Sequence, residues 1–195
     1  MIFEQIPFQI HRVYMAIKNW MDDIPPQPSV VVDGSRHIRP HDISIPAIFF
    51  DGASADGFTG CGAWIKISEH ERYHIYWNEG PGTNNKAEMM ALWGRLLVAY
   101  DLQIHVVNIY GDSKLAIGWI SNSTHMYIPQ LQGWIDRTQK LWKRLNCPPI
   151  NHIFRKNNTR ADRLSKKGLL AEFGSMMITQ FSDGEHISIF PIPLP

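Results

Sequence analysis

The hydrophobic pattern from residue 46 onwards predicts a series of strands followed by alternating helices and strands. Residues 47–50 form an unbroken apolar run with two aromatics, typical of a strand buried on both faces, and the run ends at Asp51 and Gly52. Two more strand-like runs, 61–67 and 73–77, follow with a charged turn between them. These three runs predict an antiparallel meander.

The second half of this region alternates helical and extended patterns. Its predicted elements are a helix opening at Thr83, a strand at 104–110, helices at 114–120 and 129–145, a strand at 150–154 and a helix at 159–167. This order of elements is typical of a mixed sheet with helices packed on its faces. The sequence therefore predicts an α/β fold.

The two ends of the chain have a different character. Pro7 suits the first turn of a helix, and the apolar residues from Ile10 to Trp20 recur at helical spacing. A proline-rich linker follows at 24–28. We predict an amphipathic helix plus linker over 1–45, a central domain over 46–170, and a C-terminal extension over 171–195. That apolar extension, with a turn near residue 183, is expected to be irregular or to form short strands.

The total charge is uninformative, but its distribution is not. The 195-residue chain carries a formal net charge of +1, whereas residues 127–168 hold ten Lys or Arg against two Asp or Glu. Such a run is ordinarily a solvated helix face, and it is also the footprint expected for contact with phosphates. Cys61 and Cys147 lack metal-ligand spacing and are expected to be reduced thiols. With no transmembrane-length apolar run and no signal-peptide pattern, we expect an intracellular protein of the cytoplasm or nucleus that does not bind membranes.

Four acidic residues recur where predicted elements begin or end. Asp51 and Asp112 end strands, while Glu88 and Asp162 lie near the starts of helices. Each alone has an ordinary explanation, as a turn residue or a complement to a helix dipole. Sites in open sheets gather at strand ends, and carboxylates on strands about 4.8 Å apart repel one another. A pair of Mg²⁺ ions relieves that repulsion and supports in-line phosphoryl displacement. The four acids together predict a metal site.

Four motifs in order give the sequence a family resemblance. They are FDGAS at 50–54, TNNKAE at 83–88, YGDS at 110–113 and HIFRKNNTRAD at 152–162. Over residues 46–170 the chain resembles the type 1 ribonuclease H family, above all the C-terminal ribonuclease H domain of plant non-LTR retrotransposon polyproteins. The resemblance implies a five-stranded mixed sheet in the order 3-2-1-4-5, with the first three strands antiparallel and helices on its flanks.

The resemblance also implies an activity and a set of site residues. The activity is cleavage of the RNA strand of RNA/DNA hybrids, leaving 3′-hydroxyl and 5′-phosphate ends, with Mg²⁺ or alternatively Mn²⁺. Asp51 would bridge two ions, Asp162 would complete the site of the metal that activates water, and Glu88 and Asp112 would hold the other metal. Substrate contacts are expected from a further set, which comprises Gly52, Ala53, Ser54, Asn84, Asn85, Arg155 and Lys156. An isolated domain is expected to be a monomer, with an upstream reverse transcriptase domain as a partner.

Two departures from the family pattern keep alternatives open. The loop before the last helix lacks the histidine that bacterial and eukaryotic members carry, and His152 is expected to be packed or semi-buried in a strand. Residues 122–128 lack the basic protrusion of the bacterial enzymes. The alternatives are a catalytically silent nucleic-acid-binding or scaffold domain, or another enzyme of the same fold, an exonuclease or recombinase. Ala53, two residues after Asp51, argues against an exonuclease, which requires an acid there.

Overall fold

The computed structural model describes residues 45–193, apart from 102, 105 and 125–127. The helix and linker predicted over 1–45 lie almost entirely outside the described residues. Within the described part of the chain, no helix is both long enough and apolar enough to cross a membrane.

The described residues form seven strands and four α-helices. The strands are β1 (Ala47–Ala55), β2 (Phe58–Lys66), β3 (Glu71–Pro81), β4 (Asn108–Gly111), β5 (Ile150–His152), β6 (Ser175–Ser182) and β7 (Glu185–Pro193). The helices are α1 (Asn84–Asp101), α2 (Lys114–Ile120), α3 (Pro129–Arg144) and α4 (Thr159–Leu169), and a single 3₁₀ turn at Arg155–Asn157 precedes α4. The order matches the predicted alternation, although β4 is shorter than the predicted run 104–110.

One mixed sheet contains all seven strands in the order β5-β4-β1-β2-β3-β6-β7. Its central five strands follow the predicted order 3-2-1-4-5, with β1, β2 and β3 antiparallel and β4 and β5 parallel to β1. Of the two forms predicted for the tail, the structure shows strands and corrects the irregular alternative, because β6 pairs with β3 and β7 pairs with β6. Asp183 and Gly184, with φ of 50° and 85°, form the two-residue turn that such a hairpin favours.

The sheet has a hydrophobic layer on each face because successive side chains along a strand point to opposite sides. On one face, Ile48, Phe50 and Trp77 are fully buried in the main core, which also contains residues of α1, α2 and α3. On the other face, which α4 covers, Phe49 and Tyr110 belong to a smaller cluster.

Two glycines let helix backbones approach the sheet closely. A methyl group on Gly52 would overlap the backbone of Glu88 in α1, and one on Gly62 would overlap the backbone of Ser165 in α4. No other residue type fits at either position without a shift of the helix. The sheet is therefore held between two helices at the level of Asp51, which pairs with Gly62.

Candidate active site

Three of the four predicted acids converge at the ends of β1 and β4. Phe50 lies opposite Gly111 in the parallel ladder, so Asp51 and Asp112 follow on neighbouring strands. Glu88 enters from the second turn of α1, whose backbone passes directly over Gly52. One carboxylate oxygen from each of Asp51, Glu88 and Asp112 lies within 4.8 Å of the others.

Asp51 lies at the centre of this cluster and is almost inaccessible to solvent. The residue is 3% exposed, and its Oδ2 accepts a hydrogen bond of 2.5 Å from Ser165 Oγ in α4. Burial raises the pKa of Asp51 to about 7, with a further contribution from the neighbouring Asp112, and the Ser165 hydrogen bond opposes the rise. The protein therefore holds a carboxyl here that ionises reluctantly without a cation.

Glu88 has the same character on the α1 side of the cluster. Its carboxyl is buried, and Oε2 accepts a hydrogen bond of 3.1 Å from the backbone N–H of Gly52. Burial and then the charges of Asp51 and Asp112 raise its pKa well above the ordinary value. The Gly52 N–H fixes the direction of the Glu88 carboxylate.

Asp112 is held by a residue from the segment that precedes α4. Asn158 is fully buried, and its side-chain amide donates to Asp112 Oδ1 at 3.1 Å and to the backbone carbonyl of Phe50 at 2.8 Å. Although Asn158 stands at the start of a helix, its side chain does not cap that helix. It instead ties α4 to the ends of β1 and β4.

Asp162, the fourth predicted acid, lies in the first turn of α4 and is not within the three-carboxylate cluster. Its two oxygens accept from Arg155 at 2.9 Å and from Lys166 at 2.7 Å. Burial opposes its ionisation, but the hydrogen bonds and charges of Lys166 and Arg155 outweigh that effect and lower its pKa. Its negative charge nevertheless reaches Asp51 and contributes to the raised pKa there.

The cluster suits a divalent cation with a preference for oxygen ligands. Three carboxylates within 4.8 Å offer the hard donors that Mg²⁺ and Mn²⁺ prefer. Burial, and then the charges of neighbouring carboxylates, raise the pKa values of both Asp51 and Glu88. A cation would relieve both penalties, so the residues present fit a metal centre.

The predicted substrate contacts on α1 and β1 differ in their exposure to solvent. Thr83, whose hydroxyl accepts from the backbone N–H of Lys86, caps α1, so neither Asn84 nor Asn85 is needed as a cap. Asn84 is exposed and Asn85 half-buried. Along the end of β1, exposure increases after the buried Gly52 through Ala53 to the exposed Ser54. The asparagines and the end of β1 are therefore open to a ligand beside Glu88.

Arg155 and Lys156 lie exposed in the 3₁₀ turn between β5 and α4. Arg155 faces the site through its ion pair with Asp162. His152 corrects an expectation: it is exposed, not packed or semi-buried. It is the last residue of β5, the edge strand, and its ring contacts the exposed Phe154 edge-on with centroids 5.9 Å apart.

Two residues that the sequence did not predict, Ser165 and Asn158, hold two of the three clustered acids. Ser165 stands three residues after Asp162, so the two residues lie on the same side of α4. This spacing could have identified Ser165 from the sequence. Asn158 immediately precedes α4, where an asparagine is ordinarily explained as a cap. Their contacts with Asp51 and Phe50 join residues more than 100 positions apart.

Comparisons with known proteins agree with this geometry. The ribonuclease H1 of the halophilic archaeon Halobacterium salinarum is 26% identical, with a TM-score of 0.60 over 65% of this chain and 98% of that chain. The N-terminal ribonuclease H domain of a Mycobacterium tuberculosis protein is also 26% identical, with a TM-score of 0.58 over 64% of this chain and 92% of that one. The foamy viral protease-reverse transcriptase in complex with RNA/DNA hybrid is 18% identical, with a TM-score of 0.52 over 75% of this chain and 23% of that one.

These similarities show that the chain has a ribonuclease H-like fold. No curated protein matches it. A family model described as reverse transcriptase-like matches residues 49–168, more than half of the sequence, and the chain therefore belongs to that family.

Proposed function

We propose that this protein is a divalent-metal endonuclease that hydrolyses the RNA strand of RNA/DNA hybrids. The observation that carries the proposal is the convergence of Asp51, Glu88 and Asp112 carboxylates to within 4.8 Å at the ends of β1 and β4. It is supported by the likeness to two ribonuclease H proteins at 26% identity. A foamy viral reverse transcriptase of the same fold binds an RNA/DNA hybrid.

The chain's own residues have distinct roles in this proposal. Asp51, most central and least exposed, would contact both of two Mg²⁺ ions, and Mn²⁺ is the alternative. Glu88 and Asp112 would hold one ion, and Asp162 would complete the site of the other. Metal held by these residues would supply an activated water and stabilise the leaving 3′-oxygen in an in-line displacement. Ser165, Gly52 and Asn158 fix the carboxylate directions, as second ligand layers do in metal sites.

Asp162 and Arg155 exchange partners in this scheme. In the structure Asp162 is neutralised by Arg155 and Lys166. When Asp162 holds a metal, it would release these two side chains, and the freed Arg155 guanidinium would be available to a substrate phosphate. Arg155 is well suited to this because its side chain is 73% exposed and belongs to a surface turn. Lys156, the next residue, adds a second positive charge to the same surface turn.

Recognition of the hybrid would use its minor groove and the ribose hydroxyls of its RNA strand. Asn84 and Asn85 would reach the minor groove, and the backbone from Gly52 to Ser54 would approach ribose 2′-hydroxyls, which distinguish RNA from DNA. Substrate grip would rest on surface charges, namely Arg137, Lys140, Lys143, Arg144, Arg155 and Arg160. Because these charges contact phosphates, kcat/KM should fall steeply between low and physiological salt. A value that barely changes with salt would contradict this part of the proposal.

The biological setting follows from the family resemblance. We infer that the domain spans 46–170 and serves reverse transcription of a retrotransposon, with an upstream reverse transcriptase domain as a partner. The isolated chain would be a monomer. Residues 1–45 would be a separate N-terminal segment, and residues 171–195 would be an extension whose two described strands widen the sheet.

A cleavage assay tests the proposal directly. End-labelled RNA/DNA hybrid, duplex RNA and duplex DNA are incubated with the full chain in Mg²⁺ or EDTA. We expect RNA cleavage in the hybrid alone, only with metal, and its loss in Asp51→Asn. Asp136→Asn, an exposed acid of α3, serves as the matched control and should retain activity. Absence of cleavage in wild type, with hybrid binding retained, would favour the catalytically silent domain.

A further inference from the structure

The sheet face beneath α4 carries an unusual concentration of positive charge. Lys66 in β2 lies directly opposite Arg72 in β3, on the same face as Trp64 and His74. Like charges directly opposite each other destabilise an antiparallel pair. Cations from α4 extend the patch, and we call the whole set the basic face, which comprises Lys66, Arg72, Arg160, Arg163 and Lys167. Arg160 is the one member that the proposed substrate grip also includes.

Acidic residues of the described chain do not neutralise this face. None of its five cations forms an ion pair with a described residue, and Arg72 Nε is buried without a hydrogen-bond partner there. Glu71 points to the opposite face, where it accepts from Tyr73. Asp183, in the nearby β6–β7 turn, pairs with His70. The protein thus keeps several like charges together at a cost to its own stability.

The local electrostatics agree with this description. Burial and then the charges of Arg160, Arg72 and Lys167 lower the pKa of His74 to about 4. Burial and then Arg72 and Arg163 lower the pKa of Arg160. The positive potential is therefore shared across two strands and the helix.

The aromatic residues of this face are already covered. Arg160 lies 4.6 Å from the centroid of the Trp64 ring, and Phe49 stacks on Trp64 with centroids 4.4 Å apart. Arg72 lies 5.2 Å from the ring centroid of Phe181. These rings hold the cations in place and leave little ring surface for stacked bases, so the face suits a polyanion recognised through charge alone.

We propose that the basic face binds the phosphodiester backbone of a nucleic acid, as a second site beside the carboxylate cluster. Lys66 of β2 pairs with Ala47 of β1, which lies four residues before Asp51. Because each strand residue advances about 3.3 Å, Lys66 lies about 13 Å along the sheet from the cluster. Phosphate contact of this kind is independent of sequence. The choice of nucleic acid over another polyanion rests on the proposed function, because the substrate would bring phosphates to the adjoining edge of the sheet.

Salt-dependent binding tests the proposal without any cleavage. The full chain carrying Asp51→Asn is titrated with a fluorescent RNA/DNA hybrid in EDTA, between about 50 and 200 mM salt. Adding Lys66→Gln, Arg72→Gln and Arg163→Gln should lower affinity at least about tenfold at low salt. The slope of log K against log salt should shrink by about 2 to 3, because each phosphate contact contributes about 0.9.

Two controls separate charge from folding. The charge-conserving set Lys66→Arg, Arg72→Lys and Arg163→Lys should keep the slope. The glutamine set should melt no lower than its parent and is expected to gain about 1–3 °C, because a repulsive cross-strand pair has been removed. Equal slopes for parent and glutamine set would overturn the proposal. So would equal loss in the charge-conserving set, or binding to anionic phospholipid vesicles with no effect on the hybrid.

These results are independent of the test for nuclease activity. A wild-type chain that fails to cleave hybrid, yet loses affinity in the glutamine set, would refute the proposed function and support the second site. A chain that cleaves hybrid but shows the same salt slope in the glutamine set would support the proposed function and refute the second site.

Discussion

Replacing Asp51 with asparagine should abolish activity and yet stabilise the metal-free protein. In the folded chain the pKa of Asp51 is raised by burial from 3.8 to about 7. Below pH 3.8 the carboxyl is protonated in both states and burial carries no ionic penalty. Between 3.8 and 7 the unfolded chain releases the proton while the folded chain keeps it, so stability falls as pH rises through this window, and above 7 the loss is complete.

The size of the effect follows from the same two values. Each pKa unit corresponds to 1.36 kcal/mol, so the full penalty at alkaline pH is about 4 kcal/mol. The asparagine variant escapes it and can still accept the hydrogen bond from Ser165 Oγ. Its advantage over wild type should therefore grow by about 2.5 kcal/mol between about pH 5 and pH 8. At pH 8 the midpoint temperature should rise by roughly 8–16 °C.

Urea unfolding in EDTA, followed by circular dichroism across this pH range, measures the difference. Asp136→Asn, which alters an exposed acid, should show no pH-dependent gain. Adding Mg²⁺ should stabilise wild type by binding the folded state, and Asp51→Asn should respond far less. The reasoning would be refuted if Asp51→Asn were less stable than wild type at pH 8. It would also be refuted if the two proteins differed in free energy of unfolding by the same amount at pH 5 and pH 8.

Three other substitutions test the supports of the cluster and the core. Ser165→Ala should weaken Mg²⁺ activation about tenfold because Asp51 loses its orienting donor; an unchanged half-saturating Mg²⁺ concentration for cleavage would contradict this. Gly62→Ala should lower the free energy of unfolding by about 3 kcal/mol or more, since its methyl group would overlap the α4 backbone; an unchanged urea midpoint would show that α4 can yield. Arg95→Met should raise stability by about 1–3 kcal/mol, because the guanidinium of Arg95 is fully buried over Trp77 without a hydrogen-bond partner among the described residues; a lower midpoint would contradict that account.

The order of strands and helices along the chain was predictable because its signals are local and repeated, whereas the strand order within the sheet was implied by the family resemblance. The apolar run of β1, the turn before β2 and the caps of the helices can each be recognised within a few residues. Asp51 and Asp112 could be placed together because both stand at the ends of strands that become parallel neighbours. Asp162 was expected among them, but it lies outside the three-carboxylate cluster and pairs with Arg155 and Lys166. The Lys166 pair has the i, i+4 spacing that the sequence does show, whereas Arg155 precedes α4 and no helix spacing links it to Asp162.

The tail was harder to predict because its composition points away from strands. Pro191 and Pro193 lack the N–H group that a ladder requires, which argues against a central strand. Both belong to β7, the outermost strand of the sheet, where only one edge has to be paired. An edge position becomes visible only when β6 is known to pair with β3, and that pairing joins residues about 100 positions apart.

The supports of the carboxylate cluster depend on contacts that act across the whole domain. Gly52 and Gly62 are ordinary turn or strand residues in the sequence, yet they set how closely α1 and α4 approach Asp51. The same approach brings Gly52 N–H to Glu88 and Ser165 Oγ to Asp51. Helix packing therefore imposes the repulsive arrangement of acids before any cation arrives. If that is correct, removing the metal should leave the cluster assembled, and the penalty at Asp51 should be measurable in EDTA as stability lost with rising pH.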